Sequence, residues 1–496
     1  MSISPRKNLS GFFANVLKLA TGNVLAQGFA IVIAPVLTRL FAPEAFGIVA
    51  IFTSITGITS IVACFRYDMA IVLPKTDGEA VNILGLSVFF ILVVTAISSL
   101  AVFFAGDKIA CLFNSPEFGQ YLWLAPLMIC FQGLFTAFSY WVTRRKQFGR
   151  ITIATVLQSL ATQSTKLALG FAGYVSGGVL IVTAIIGTIV STGFMGFRIW
   201  SNDSALFREN LLSRRMIEGL RRYKRFPLID TWSTLLNTFS WQLPILLLAF
   251  FFSPVIVGFY ALGFNVVKLP MGMVGSAIGQ VFFQRASEAH VHGGLSDLVT
   301  NVFRRLVSFG LFPLLILTAI GKELFVVVFG ADWSEAGVFV QIMSPWLFFV
   351  LISSPLSNLP LVLEKQQVML QFNIVIFLTR LGALLVGGYL GSARVALFLF
   401  SGSGIIIYGI FSYYLIQLSK ASLRQCSLFI FEHALAGLLG IAIVLFAKTV
   451  IDWPPLLIGV SCLLVLLYEA RVVFRDPRLR NEIITFLVIS KPKMTE

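Results

Sequence analysis

Four cationic residues lie inside long apolar stretches of the sequence, namely Lys18, Lys166, Lys268 and Arg380. If these stretches cross a membrane, each buried charge costs about 2.5–3.5 kcal/mol on the most lenient scale, so it usually faces a cavity or a partner. No Asp or Glu occupies the middle of such a stretch. This asymmetry indicates a cationic cavity suited to an anionic group such as phosphate or pyrophosphate.

A cation near a helix end can instead extend its charged group to the membrane interface. For Lys18 and Lys166 this alternative stays open. Lys268 precedes Pro270 in a long apolar stretch, and Arg380 lies about midway along its own stretch. We therefore favour Lys268 and Arg380 as residues that line a cavity.

Other polar residues extend this set of candidates. Asn23 and Gln27 follow Lys18 at one and two helical turns. Arg66 and Asp68 lie at the end of an apolar stretch, where they could form a gate or an ordinary interfacial ion pair.

The composition explains why these charges stand out. Of 496 residues, 57% are hydrophobic and 12% charged, with a mean hydropathy of +0.91, whereas about 25% of residues are charged in soluble proteins. The net charge of +15 does not indicate nucleic-acid binding, because the cations lie in short segments between apolar runs. Five cysteines lack metal or redox spacing. We expect an all-α polytopic membrane protein without cofactor or metal.

About 20 apolar residues span a bilayer as a helix, and the sequence contains fourteen such segments. They are approximately 13–38, 46–65, 81–104, 120–142, 151–172, 176–198, 228–252, 255–284, 304–320, 337–363, 368–388, 393–416, 427–447 and 454–474.

The charges between these segments predict their orientation. With a cytoplasmic N-terminus, the cytoplasmic segments hold 28 of the 37 Lys and Arg residues. The outer segments hold only Arg39, Lys108, Lys322, Arg394 and Lys448. This bias follows the positive-inside rule and places both termini in the cytoplasm. The outer loops are too short for a catalytic domain, so we do not expect an enzyme.

The longest hydrophilic passage, residues 198–225, divides the chain. It carries eight cations and three acids, with apolar residues at three- to four-residue spacing. This pattern predicts a basic amphipathic helix lying on an anionic leaflet. Its role is either that of a solvated connector, whose charge sets the topology, or a regulatory, lipid-sensing one.

An internal repeat accompanies this division. Residues 41–50 and 252–261 both read F-[A/S]-P-x-x-x-G-x-x-A, at an offset of 211 residues. Each copy lies between the first and second segment of a six-helix block, which is typical of transporters built from parallel repeats. We predict a first lobe over 1–200, a connector over 201–226 and a second lobe over 227–420. Residues 421–496 form an appended helix pair and a basic tail.

Three stretches carry a family resemblance: residues 21–50, 66–74 (RYDMAIVLP) and 223–228 (YKRFPL). They resemble bacterial Wzx-like oligosaccharide flippases of the multidrug/oligosaccharidyl-lipid/polysaccharide exporter superfamily. The resemblance covers most of the chain and implies two six-helix bundles around a central cavity, often with two extra helices. It implies that undecaprenyl-pyrophosphate-linked oligosaccharide moves from the cytoplasmic to the periplasmic leaflet of the inner membrane by alternating access.

The resemblance and the charge pattern together give the expected site and partners. We place Arg39 and Arg66 near the mouths of the cavity in the first lobe. The full set of candidate cavity residues is Lys18, Asn23, Gln27, Arg39, Arg66, Lys166, Lys268 and Arg380. The expected partners are a lipid-linked oligosaccharide, anionic bilayer lipids and other polysaccharide-assembly proteins.

Three other function classes share some of these features. A drug/cation antiporter of the same superfamily needs buried carboxylates, which are absent from the middle of the predicted spans. A polysaccharide polymerase or ligase needs a large outer loop with catalytic groups. A flippase for peptidoglycan lipid precursors would carry the same pyrophosphate, so the sequence leaves it open.

Overall fold

The structure, a computed structural model, describes residues 5–475, with side chains from residue 24 onward except at positions 116, 213, 270, 273, 274, 276, 277, 280 and 366. In this part of the chain the regular elements are helices, and fourteen of them have at least 20 residues. In chain order these are α1 Pro5–Leu40, α2 Pro43–Ala63, α3 Asp77–Leu112, α4 Ala125–Arg144, α5 Phe148–Phe171, α6 Gly177–Asn210, α7 Thr231–Phe251, α8 Pro254–His292, α9 Leu295–Phe329, α10 Ser334–Leu356, α11 Gln366–Tyr389, α12 Ala393–Leu418, α13 Leu423–Val450 and α14 Pro454–Arg475. Shorter helical segments cover Tyr67–Ala70, Pro116–Leu122, Ser213–Arg222, Phe226–Asp230, Ala331–Trp333 and Leu359–Val362.

The predicted all-helical membrane class is confirmed. Each long helix overlaps one predicted segment, and eleven of them are long and apolar enough to cross a membrane. In α1 and α8 the apolar parts found are shorter, Val24–Leu40 and Pro254–Leu269. The third exception, α5, carries Lys166 and many hydroxyl and amide side chains. That all fourteen helices cross the membrane stays a prediction.

Side-chain caps fix where several helices begin. Thr76 accepts a hydrogen bond from the amide of Glu79 at the start of α3, at 3.3 Å. Ser176 and Ser422 accept equivalent bonds at the starts of α6 and α13, both at 3.4 Å. Each cap satisfies one of the amides that the first helical turn leaves without a partner.

The chain forms two compact units. The first comprises Met1–Leu269 and Ile376–Ala396, and the second comprises Pro270–Val375 and Leu397–Glu496. The first unit therefore contains α1 to α7, the beginning of α8, the later part of α11 and the first residues of α12. The predicted division into lobes at 1–200 and 227–420 stays a prediction.

Ion pairs join three helices of the first unit at their predicted cytoplasmic ends. Arg145 binds Asp77 at 2.6 Å and Asp203 at 3.1 Å, while Arg144 binds Asp77 at 2.9 Å. The indole of the buried Trp141 donates to Asp203 at 3.0 Å. The network satisfies the buried Asp203 carboxylate. It also holds the beginning of α3 and the last turns of α4 and α6 together.

The basic connector is docked on the first unit through Asn82 in α3. Asn82 is 1% exposed, and its amide group donates to the carbonyls of Gly78 at 2.7 Å and Asn210 at 2.8 Å. Its carbonyl accepts the Leu212 amide at 2.9 Å. One side chain thus satisfies the backbone at the break between α6 and the helix Ser213–Arg222.

We expect Asn82→Leu to lower the thermal unfolding midpoint of the purified protein. The substitution leaves the Leu212 amide and the Asn210 carbonyl without their partner, and each loss costs about 1–3 kcal/mol. Ser87→Ala is the control in the same helix, because Ser87 is equally buried but its hydroxyl bonds only to the Ile83 carbonyl within α3. An equal midpoint for Asn82→Leu and Ser87→Ala would contradict the docking role.

In the second unit the last two helices pack on α9. Lys448 in α13 forms an ion pair with Glu323 in α9 at 3.0 Å. Tyr468 in α14 stacks on Phe312 in α9 with ring centres 4.0 Å apart. The appended pair is therefore held by polar and aromatic contacts to a neighbouring helix.

Candidate functional site

Two of the predicted cavity cations converge on one tryptophan of the first unit. The guanidinium of Arg380 in α11 lies 4.4 Å from the ring centre of Trp241 in α7. The ammonium of Lys268 in α8 lies 5.2 Å from the same ring and 5.3 Å from that of Phe264. We call Arg380, Lys268 and Trp241 the cation cluster.

The two cations of the cluster differ in exposure. Arg380 is 2% exposed and donates to the hydroxyl of Ser240 at 3.2 Å, whereas Lys268 is exposed. They are close enough to repel one another. Contact with an aromatic face offsets part of this cost. An anion that touched both side chains would remove the repulsion and gain a planar, two-pronged donor from the arginine.

The other predicted site residues lie elsewhere in the first unit. Lys166 is half-buried on α5, one turn before Gly170, where α5 packs against the end of α1. Arg39 is exposed and donates to the Pro35 carbonyl within its own helix at 3.5 Å. Gln27 is half-buried on α1.

The side chains of Lys18 and Asn23 lie outside the described residues. No contact between Lys166 and the cation cluster is found among the described side chains. The structure therefore brings together Lys268 and Arg380 and leaves Lys166 on a different helix pair. Cavity roles for the remaining residues stay predictions.

The two copies of the sequence repeat contact each other directly. A Cβ on Gly47 would overlap the carbonyl oxygen of Pro254, and a Cβ on Gly258 would overlap that of Pro43. In both cases the amide nitrogen of the opposite glycine lies 3.1 Å from the Cβ position. The contact is thus symmetric, and it requires glycine because backbone meets backbone.

Beyond the Gly47–Gly258 contact, further side chains join the two halves of the sequence. The hydroxyl of Ser54 in α2 lies 3.1 Å from Oε1 of Gln242 in α7. The Asn114 side chain donates to the Phe250 carbonyl at the end of α7, at 2.7 Å. We call the contacts of α2 with α7 and with the beginning of α8 the seam, and the Gly47–Gly258 contact its glycine end.

Arg66 closes the opposite end of the seam. Its Nε donates to Asp230, directly before α7, at 2.9 Å, while its Nη1 lies 4.0 Å from Asp68. The neighbouring Tyr67 donates to the Leu220 carbonyl of the connector helix at 3.2 Å. The sequence indicated a pairing of Arg66 with Asp68, but the closer partner is Asp230. We call this contact the arginine end of the seam.

Sequence reasoning missed the groups that position these side chains. Asp230 belongs to no motif of the sequence, and 164 positions separate it from Arg66. Ser240 and Trp241 carry no motif, although the first half of α7 is rich in hydroxyl and amide side chains. The described residues contain no group of three or more His, Cys, Asp or Glu residues that could hold a metal ion.

Comparison with known proteins identifies the family. Residues 36–338 match the family described as polysaccharide biosynthesis protein. The succinoglycan biosynthesis transport protein ExoT of Rhizobium meliloti is 24% identical over 336 residues, which cover 62% of this chain and 60% of ExoT. The match thus spans less than two thirds of that relative. The lipopolysaccharide biosynthesis protein WzxC of Escherichia coli is 22% identical over 382 residues, or 75% of this chain and 74% of WzxC.

Solved structures show the fold. The lipid II flippase MurJ, in an inward closed conformation, superimposes with a TM-score of 0.72 at 12% identity, covering 93% of this chain and 99% of MurJ. An inward-facing multidrug resistance MATE transporter of the MOP superfamily gives a TM-score of 0.58 at 15% identity, covering 81% and 95%. The predicted resemblance is confirmed: the chain is a multi-pass membrane protein with this transporter fold, and it belongs to the polysaccharide biosynthesis protein family.

Proposed function

We propose that this protein moves an undecaprenyl-pyrophosphate-linked oligosaccharide across the bacterial inner membrane, from the cytoplasmic to the periplasmic leaflet. The observation that carries the proposal is the cation cluster, in which Arg380 and Lys268 meet at Trp241. Arg380 and Trp241 lie in helices that are long and apolar enough to cross a membrane, and Lys268 lies at the end of the apolar part of α8. The family and the names of the two relatives point to polysaccharide assembly.

The cluster offers the chemistry that a lipid pyrophosphate needs. The arginine fork can bind two phosphate oxygens at once, and the lysine adds a mobile point charge. The indole face of Trp241 provides an apolar surface beside these charges. The pyrophosphate is common to lipid-linked glycans of different sequence, so a site directed at it tolerates variation in the sugars.

The seam contains the contacts that must break and form again during transport. A substrate can cross only if one end of the path opens while the other is closed, which is alternating access. In the first unit the seam is closed at its glycine end by backbone packing and at its arginine end by the Arg66–Asp230 ion pair. We assign the glycine end to the periplasmic side and the arginine end to the cytoplasmic side, following the positive-inside pattern.

The drug/cation antiporter is the less suitable alternative, because an organic cation would be repelled by Arg380 and Lys268. A flippase for peptidoglycan lipid precursors uses the same headgroup chemistry, and the fold similarity to MurJ keeps it as a second candidate. The lipid that accumulates when the protein is missing separates these candidates.

The genetic test is deletion in the host followed by analysis of the lipid fraction. We expect undecaprenyl-pyrophosphate oligosaccharide to accumulate and wild-type protein to clear it. Lys268→Ala should fail to clear it at normal protein levels, whereas Lys108→Ala, the same charge change outside the cluster, should succeed. Accumulation of a peptidoglycan precursor would favour the second candidate. A normal lipid profile with reduced drug efflux would contradict the proposal.

A further inference from the structure

A buried carboxylate lies beside the arginine end of the seam. Asp68, in the short helix Tyr67–Ala70 between α2 and α3, is 1% exposed. Neither of its carboxylate oxygens has a hydrogen-bond partner. The backbone amides of Asp68 itself and of Met69 are close enough to favour its charged form, but neither meets the geometry of a hydrogen bond. A buried ionised carboxylate without hydrogen bonds is costly unless a cation compensates it or it takes up a proton.

The charged and titratable groups that act on Asp68 lie on three segments, and α3, which also packs against this short helix, contributes none of them. They are Arg66 and Cys64 on the preceding turn, Tyr140 on α4 and Asp230 before α7. Arg66 is the cation among them, and its nearest nitrogen lies 4.0 Å from Asp68 but 2.9 Å from Asp230. In this conformation the Arg66 guanidinium is therefore paired with Asp230.

Two other cations close to this turn already form ion pairs with other acids. Arg144 on α4 binds Asp77 at 2.9 Å and donates to the Pro74 carbonyl at 2.8 Å. Arg145 binds Asp77 and Asp203. Compensation of an ionised Asp68 therefore depends on Arg66.

The backbone holds Arg66 between the two carboxylates. Phe65 and Arg66 have φ values of 45° and 60°, so two consecutive residues other than glycine adopt the left-handed conformation. Such conformations cost about 1–3 kcal/mol each and persist where the surrounding structure requires them. Here they place the guanidinium within reach of Asp68 on its own segment and of Asp230 across the seam.

We propose that Asp68 is a proton-binding site and that Arg66 alternates between the two carboxylates. When Asp68 carries a proton, Arg66 binds Asp230 and the arginine end of the seam is closed. When Asp68 releases that proton to cytoplasmic water, its negative charge draws Arg66 away from Asp230 and this end opens. The step is a simple acid dissociation and needs no other reactant.

This inference deepens the proposed function, because it names the ion whose binding would accompany opening of the seam. Burial raises the pKa of Asp68, and the nearby Arg66 charge opposes that rise. Burial lowers the pKa of Arg66, but the hydrogen bond to Asp230 and the charge of Asp68 raise it by more. Arg66 therefore stays charged. Proton binding at Asp68 therefore extends to a higher pH than for an ordinary aspartate.

The direct test is an infrared titration of the full-length protein in liposomes, which reads the protonated carboxyl of Asp68 and needs no cargo. We expect a carboxylic acid band that is absent in Asp68→Asn. Asp230→Asn should shift its titration to lower pH, because the freed Arg66 then pairs with Asp68. Arg66→Gln should shift it to higher pH. Loss of the Asp230 charge by itself also lowers the pKa of Asp68, so the alternation is read from the double variant: in an Arg66→Gln background, Asp230→Asn should shift the titration much less than it does in wild type. Equal shifts in the two backgrounds would overturn the alternation.

Stability gives a second readout that is independent of transport. A raised native pKa stabilises the fold at low pH, and this contribution is lost as pH rises through that value. The unfolding midpoint of wild type should therefore fall as pH rises above the ordinary aspartate range, and Asp68→Asn should show a smaller fall. Equal slopes would contradict proton uptake at Asp68.

Transport measurements then connect the site to the function. Asp68→Asn imitates the protonated state, so it should slow transport and remove most of its pH dependence. If wild type transports the lipid and Asp68→Asn retains the wild-type pH profile, Asp68 does not couple protons to transport. If wild type moves no lipid while the infrared shifts are observed, the proposed cargo is wrong and the proton site stands.

Discussion

Gly47→Val and Gly258→Val are each expected to reduce transport strongly while most of the fold remains. At both positions a Cβ would occupy the space of a backbone carbonyl oxygen, Pro254 for the first and Pro43 for the second. A flexible side chain could move aside, but a helical carbonyl cannot, so the two helix ends must separate. Overpacking of this kind typically costs about 1–3 kcal/mol, and here it acts on the closed glycine end of the seam.

We expect transport to fall by about 5- to 150-fold, because each 1.4 kcal/mol against the closed state is a tenfold change in its population. Gly57→Ala is the matched control on the same helix, since its Cβ would meet only the Gln242 side chain at 3.9 Å, an ordinary contact. The measurement is clearance of the accumulated lipid in the deletion strain at equal protein levels. Wild-type clearance by both valine variants would show that the glycine end is not a gate.

Arg380→Met is expected to have the second large effect. Hydrogen bonds to charged groups contribute about 1.5–3 kcal/mol, so loss of the guanidinium should weaken binding of the pyrophosphate by about 10- to 150-fold. Arg380→Lys keeps the charge but loses the planar fork, and we expect an intermediate affinity.

The stability of the same variant separates binding from folding. Arg380→Met removes the cost of burying a charge and its repulsion with Lys268, but it also removes the hydrogen bonds to the carbonyl and hydroxyl of Ser240. Because these effects oppose one another, the unfolding midpoint of Arg380→Met should stay close to that of wild type, although binding of the lipid pyrophosphate is weakened. A lower midpoint together with retained binding would assign Arg380 a structural role and remove it from the site.

The features that could be predicted from sequence are those with a local physical signal. Apolar runs and loop charges predicted the helices, because the membrane requires both. The energetic cost of a charge in the membrane singled out Lys268 and Arg380, which the structure brings to one tryptophan. The repeat at residues 41–50 and 252–261 was visible as a spacing of proline, glycine and alanine.

The features that could not be predicted depend on packing between distant parts of the chain. The partnership of Arg66 with Asp230 crosses 164 positions, and it requires a left-handed Arg66 that no residue type in that turn indicates. The separation of Lys166 from the cluster depends on how α5 packs against α1, which the charge pattern does not specify. Direct contact between the two repeat copies also follows only from the packing of α2 against α8.

The central claim is that the cation cluster binds a lipid pyrophosphate during its passage across the membrane. It is tested most directly by reconstituting the purified protein in liposomes that contain a fluorescent undecaprenyl-pyrophosphate oligosaccharide and measuring how fast the label becomes accessible to a reagent outside. The account predicts that wild-type protein accelerates the exchange, that Arg380→Met does not, and that inorganic pyrophosphate slows it. Equal exchange with wild type and Arg380→Met, insensitive to pyrophosphate, would contradict it.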